Sequence, residues 1–208
     1  MEAKLLRRAF FNRDPRQAGR ELLGKLIVRR QGRKVLAGRI VEVEAYLGAD
    51  DLAAHATAGR TARNSVVFGP PGHAYIYFIY GVHYCLNISC LPDGEAGCLL
   101  IRALEPVAGL PAMAKARNLP DLDLHDSSTR DLRKLTSGPG RLCEALEITR
   151  PQDNGKDMVA RSSDLQVMDD GFRVKKDQIV VTRRIGITKS AEMPLRYVIA
   201  GNAFVSGR

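Results

Sequence analysis

The stretch KVLAGRIVEVEAYL, residues 34–47, reads as one long β-strand, and from Ile40 onward it alternates. With period two, Val41, Val43, Ala45 and Leu47 fall on one face, and Glu42, Glu44 and Tyr46 on the other. The apolar set supplies one wall of a core. The opposite set is harder to place, because a face that only meets water has no need of acids in a row beside an aromatic ring.

Local signals extend the pattern in both directions. Upstream, KLIVRR (residues 25–30) is a second strand joined to the first by the turn QGRK, and Asp14 followed by Pro15 opens a helix that Gly24 closes. Downstream, residues 47–64 form a polar, Ala/Gly-rich loop with a helical turn expected around Asp50 to His55. GPPGHAYIYFIYGVHYCLNISCL (residues 69–91) then reads as a β-hairpin with Gly81 near the bend, which puts Tyr80, Val82 and His83 at its tip. CLLIRALEP (98–106) is another strand. LPAMAKARNL (110–119) and TRDLRKLTSGPGRLCEALEI (129–148) are helical, the latter broken at Ser137-Gly138-Pro139. Strands return in DLQVMD, DQIVVTRRIGIT and PLRYVIAG. No stretch has the composition of a linker, so the chain predicts one α/β domain with a mainly antiparallel sheet.

Composition narrows the classes of function. The 208 residues are 45% hydrophobic, enough for a substantial core, yet no apolar run approaches the roughly 18 residues that cross a membrane. The basic N-terminus lacks an apolar signal region, so a cytoplasmic protein is expected. Cys85, Cys90, Cys98 and Cys143 form no C-x-x-C pair and read as reduced, partly buried thiols. The formal charge is +9, and residues 1–34 hold eleven Lys or Arg against three acids. Such an excess attracts polyanions without regard to sequence, which makes nucleic acid a candidate partner.

The chemistry starts from the two acids. Same-face neighbours on a strand lie roughly 6.5–7 Å apart, a separation that suits an inverting glycoside hydrolase. A lone E-x-E is equally at home on a solvated face, and no His or Asp is spaced to complete a metal site. Tyr46 on the same face, His55 in the loop, and Tyr75 with Tyr77 on the next strand change the balance. Together they offer a carboxylate beside flat π-surfaces, suited to holding a planar heterocycle and attacking what is attached to it.

VEVEAYLGADDLAAH, RNSVVFGPPGHAYIYFIYGVHYCLNIS, LLIRALEP, SGPGRLCEAL and MPLRYVIAGNAFVS resemble, in order and from about residue 10 to the C-terminus, the alkyladenine (3-methyladenine) DNA glycosylase family. The resemblance implies a single compact α/β domain, similar to formyltransferase C-terminal domains, with a curved and mainly antiparallel sheet, flanking helices and a β-hairpin that enters the minor groove. It implies a monofunctional, monomeric hydrolase with no cofactor and no metal, whose partner is double-stranded DNA containing damaged purines. Glu44 matches the general base that activates water, and Arg102 the residue that holds that water and the flipped nucleotide's phosphate. Tyr46 would stack on one face of the extruded base, with His55 and Tyr77 on the other, and His55 would also hydrogen-bond it. Tyr80 matches the wedge that fills the gap in the duplex. Asn87 matches the amide that would clash with the 2-amino group of guanine, and Ile185 a segment whose backbone lines the pocket. Arg60, Thr61, Val82, His83 and Arg141 are further expected DNA contacts. Glu42 has no assigned role beyond solvent exposure or support of its neighbours. The chain departs from the family at Ser65, Val66 and Val67, where a basic residue and a Met are usual, and at Val82, where Met is frequent.

Two other classes fit parts of the sequence. A non-catalytic nucleic-acid-binding module on the same scaffold would leave Glu44 as a surface acid. A carbohydrate or nucleoside hydrolase would use Glu42 and Glu44 as its pair, but has no use for the basic excess or the hairpin tip.

Overall fold

A computed structural model describes residues 3–79, 81–122, 124 and 128–207. Its framework is one antiparallel sheet. In chain order the strands are β1 (Lys4–Leu5), β2 (Leu26–Gln31), β3 (Lys34–Tyr46), β4 (Ala74–Ile79), β5 (His83–Ser89), β6 (Cys98–Ala108), β7 (Leu165–Asp169), β8 (Ile179–Thr182) and β9 (Arg196–Ile199). They run in the order β1-β7-β2-β3-β6-β5-β4, and the β8-β9 pair joins β3. The long central strand explains the curl. The first half of β3 pairs with β2, while Glu42, Val43 and Glu44 pair with β9 instead, and β6 covers the other edge from Ala37 to Tyr46. One strand thus hands its edge from one neighbour to another, and the sheet wraps around the hand-over.

Helix α1 (Pro15–Leu22) starts as expected, with the Asp14 carboxylate accepting from the Arg16 N–H at 2.7 Å and Pro15 at the first turn. It buries Ala18 and Leu22 against β3 and β6. Helix α2 (Leu110–Ala116) follows β6. Helix α3 (Thr129–Thr136), capped by the Ser128 hydroxyl, is divided from α4 (Pro139–Ala145) at Ser137-Gly138, within the break that the sequence predicts. A single turn, α5 (Arg150–Asp153), precedes β7. The main core brings Leu22, Ile27, Leu36, Ile40, Val43, Ala45, Ile76, Leu86, Ile88, Leu99 and Ile101 together under α1, α2 and α4. Among the described residues no helix is long and apolar enough to cross a membrane.

Three local expectations are corrected. The helical turn of the 47–64 loop lies at His55–Ala58 as 3-10 helix, not around Asp50 to His55. The strand expected over DQIVVTRRIGIT ends at Thr182, and residues 183–195 carry neither helix nor strand. Strict alternation also fails at Val41. The pairs Ile40↔Leu104, Glu42↔Ala103 and Val43↔Ile101 leave Val41 extra on β3 and then Arg102 extra on β6. These two compensating bulges send Val41 away from the main core into a small cluster with Ala103, Val198, Phe204 and Val205. Bulges of this kind re-aim side chains. Here they bring Arg102 over the acids of β3.

Gly48 ends β3 for a steric reason. Its φ is +92°, and a Cβ there would lie 2.2 Å from the Ala96 carbonyl oxygen. The close approach turns the chain from the strand into the loop that carries Asp51 and His55.

Candidate active site

Both acids of the opening strand are inside the protein. Glu42 and Glu44 have 0% exposure, so neither is a surface acid, and the premise of a silent binding module with a solvated Glu44 falls away. Glu42 accepts from Arg102 Nε at 2.9 Å, from Arg196 Nε at 2.6 Å and from the Ser206 N–H at 2.6 Å. Its oxygens are committed to that network, which removes it as the second partner of an inverting carbohydrate hydrolase. Of the two roles left open for it, support of its neighbours is the one the geometry shows.

Glu44 is held differently. Its Oε1 accepts from the Ile185 N–H at 2.8 Å and faces Arg102 Nη1 at 3.3 Å, and its Oε2 accepts from the Tyr46 hydroxyl at 3.1 Å. Burial raises its pKa above the ordinary glutamate value, while Arg102, the Ile185 N–H and the Tyr46 hydroxyl work in the opposite direction. The result is a carboxyl whose basicity exceeds that of a solvated one. Arg102 also loses hydration, yet the two carboxylates outweigh that loss and hold its pKa above the ordinary arginine value.

Beside this cluster lies a cavity of about 370 Å³, lined by Tyr46, His55, Tyr75, Tyr77, Asn87, Arg102 and Ile185 among others. Its walls are flat. The rings of His55 and Tyr77 meet edge to face at 4.6 Å, and those of Tyr75 and Tyr77 lie 5.7 Å apart. Tyr46 stands on the β3 side, one ring face covered by the Arg184 guanidinium at 4.6 Å. His55 belongs to the exposed rim, but its ring is tucked in, with Nδ1 2.8 Å from the Tyr75 hydroxyl. Burial, with the charge of Arg63, pushes its pKa below the ordinary histidine value. Burial also lifts Tyr75 to about 12, so both partners are neutral near pH 7. Asn87, on β5, is 2% exposed and donates from Nδ2 to the Tyr75 carbonyl at 3.2 Å.

Of the remaining expected residues, Arg60, Thr61, Val82, His83 and Arg141 are not among those that line the cavity. Arg60 and Thr61 are exposed, in a loop pinned by Asn64, whose amide donates to the carbonyls of His55 and Gly59 at 2.9 Å each. Val82 is 65% exposed at the hairpin bend. His83, beside it, is engaged by Glu144 at 2.8 Å, and Arg141 is exposed on α4. Tyr80 lies outside the described residues. The N-terminal cations do not gather at the mouth. Arg8 pairs with Asp157 at 2.5 Å, Lys25 with Asp169 at 2.9 Å, Arg29 with Asp153 at 2.6 Å, and Lys34 with Glu147. These four are balanced by acids from late in the chain, while Arg13 and Arg16 pair with Glu21 and Asp14 of the N-terminal segment itself.

Sequence reasoning missed four residues of the site: Asp51, Arg184, Arg196 and Ser206. One signal was present. LIRAL and PLRYVI each place a lone Arg in an apolar strand, a pattern that calls for a buried acid as partner.

A sequence model described as "Methylpurine-DNA glycosylase (MPG)" matches residues 9–203. A protein of Koribacter versatilis named "Putative 3-methyladenine DNA glycosylase" is 63% identical over 203 residues, covering 98% of this chain and 93% of its own. Proteins of the same name from Burkholderia cenocepacia (46% identical; 96% of this chain, 90% of theirs) and Methanoculleus marisnigri (45%; 96% and 97%) are also similar from end to end. On the match over nearly its whole length, the chain belongs to the methylpurine-DNA glycosylase family.

Proposed function

We propose that this protein removes alkylated purines such as 3-methyladenine and 7-methylguanine from duplex DNA by hydrolysing the N-glycosidic bond, with Glu44 as general base. The supporting observation is a single juxtaposition: a carboxyl of raised basicity, oriented by two donors, directly behind the Tyr46, Arg102 and Ile185 wall of an aromatic cavity. A base within a duplex has to be flipped out before its sugar can be attacked, at a cost of a few kcal/mol. Stacking returns about 1–3 kcal/mol per base. Tyr46 supplies one surface, with Arg184 behind it, and the His55–Tyr77 pair supplies the other.

In this reading Glu44 takes a proton from a water as its oxygen bonds to C1′. The electrons of the breaking glycosidic bond pass to the purine, which leaves neutral when it entered as an N-methylated cation. That water would reach Glu44 from the cavity, whose wall includes its partners Tyr46, Arg102 and Ile185. In the tautomer where Nδ1 accepts from the Tyr75 hydroxyl, neutral His55 carries its proton on Nε2 and would offer it to the base. Asn87, which lines the cavity, would oppose the 2-amino group of guanine with its amide. Ethenoadenine and hypoxanthine are candidate further substrates. Val82 at the hairpin bend, with Tyr80, would fill the vacated stack, and Arg60, Thr61, His83 and Arg141 would meet the backbone. The chain would act as a cytoplasmic monomer.

The test is direct. Duplexes carrying 7-methylguanine, 3-methyladenine, ethenoadenine or hypoxanthine are incubated with the protein, without added metal, and free base is measured. Release from the methylated duplexes is expected, with Glu44→Gln retaining lesion binding while its release rate falls by orders of magnitude. Release by Glu44→Gln at the parent rate would remove Glu44 from the role.

A further inference from the structure

Arg184 and Asp51 form a fully enclosed ion pair that the reaction scheme above does not use. The Arg184 side chain and Asp51 side chain each have 0% exposure. The pair is bidentate, with Nη1 to Oδ2 at 2.5 Å and Nη2 to Oδ1 at 2.8 Å. Arg184 also donates to the Ala45 carbonyl at 3.0 Å and to the Ser190 carbonyl at 3.3 Å. Asp51 in turn accepts from the N–H groups of Leu47 at 3.2 Å and Ala53 at 3.1 Å. Three separate pieces of chain are thereby tied at one point: the end of β3, the loop after it, and the irregular 183–195 segment.

What lies beside that point is specific. The residue after Arg184 is Ile185, whose N–H donates to Glu44. The Arg184 guanidinium covers the ring of Tyr46, whose hydroxyl also donates to Glu44. Residues 183–195 have no strand or helix to fix the Ile185 N–H, and the residue before it, Arg184, is the anchored one. We propose that Asp51 and Arg184 are a positioning pair that holds the Ile185 N–H and the Tyr46 hydroxyl, the two uncharged hydrogen-bond donors of Glu44, in their working geometry. This inference rests on Glu44 being the general base.

The pair acts through Glu44, so its signature is Glu44's titration. The charged and titratable groups around that carboxyl are Glu42 and Tyr46 on β3, Arg102 on β6, Arg196 on β9, Cys85 on β5 and Arg184 itself. Of these, Tyr46 and Arg184 are the ones that Asp51 holds in place. When the pair is broken, two hydrogen bonds to the charged form weaken while burial persists, and the carboxylate becomes harder to form.

The experiment compares the parent, Asp51→Asn, Arg184→Lys and Glu44→Gln in single-turnover base release across pH, with a thermal melt of each. Asp51→Asn keeps shape, and Arg184→Lys keeps a cation but loses the fork and the stacked plane. The expected result for either folded variant is an acid limb displaced to higher pH. At a fixed pH on that limb the rate falls about tenfold for each unit of displacement, and the neutral-pH rate falls less. A cooperative melt with the acid limb unmoved overturns the proposal. Loss of the fold in both variants also overturns it, because the pair would then be a structural clamp. If Glu44→Gln retains the parent rate, it is the assignment of the general base that fails instead.

Discussion

Arg102 is shared between two carboxylates of one strand: its Nε donates to Glu42 at 2.9 Å while its Nη1 stands 3.3 Å from Glu44. The bulge that makes Arg102 the extra residue of β6 places it there. Glu42 takes the strong bonds and Glu44 the weaker contact, so the guanidinium is fixed by the acid that the proposed reaction leaves unused. The other acid keeps a cation nearby while remaining basic.

Glu42→Gln tests this division. The substitution leaves Arg102 and Arg196 in a buried site with a neutral partner, and it turns one acceptor into a donor facing guanidinium groups and the Ser206 N–H. Breaking a buried ionic network by removing one partner costs about 3–5 kcal/mol. The expected outcome is a destabilisation of that order in urea unfolding, together with slower base release as Arg102 loses its anchor. Unchanged stability would mean that Glu42 is not the network's centre.

The salt dependence of DNA binding distinguishes two origins for its electrostatics. The N-terminal basic run is the natural source by composition, but six of its eleven members pair with acids. Arg60 and Arg63 are exposed on the loop beside the cavity, and the charge of Arg63 reaches His55. Removing one cation from a phosphate makes the slope of log K against log salt shallower by about 0.9. Arg63→Ala is expected to flatten the slope by about that amount. Lys34→Ala, at the other end of β3 and paired with Glu147, is expected to leave it alone. Equal effects from both would place binding on the general basic surface.

Glu42 and the N-terminal cations also mark where the sequence stops being readable. The cap of α1, the β2-β3 turn and the alternating arms of the hairpin are written in adjacent residues, and each forms where the sequence predicts it. Glu44, Tyr46, His55, Tyr75 and Tyr77 lie close enough in the chain to be read as a group; the four rings line one cavity, and Glu44 stands behind Tyr46. The supporting ion pairs are not legible, because Asp51 meets Arg184 across 133 residues and Glu42 meets Arg196 across 154. The Val41 bulge is hidden for a related reason. It is fixed by the register of β6, and period-two alternation on one strand contains no information about its neighbour.

The pH dependence of Glu44 can be followed in both rate and stability, and the two must agree. Burial is the main cause of its raised pKa, so the carboxylate forms only above the ordinary value of 4.5. A reaction that needs the charged form therefore has its acid limb above that value, and the rate falls as pH drops through it. Stability moves the other way. In the window between the unfolded value and the raised folded value, the folded protein binds more protons than the unfolded chain. The contribution of Glu44 to stability is thus greatest below the unfolded pKa and declines as pH rises through the folded one. Glu44→Gln removes this group from both records. The parent-minus-variant difference in unfolding free energy is expected to fall with rising pH across the same interval in which the parent's single-turnover rate climbs. An acid limb at or below 4.5, or a stability difference that does not change over that interval, would show that a different group controls the rate.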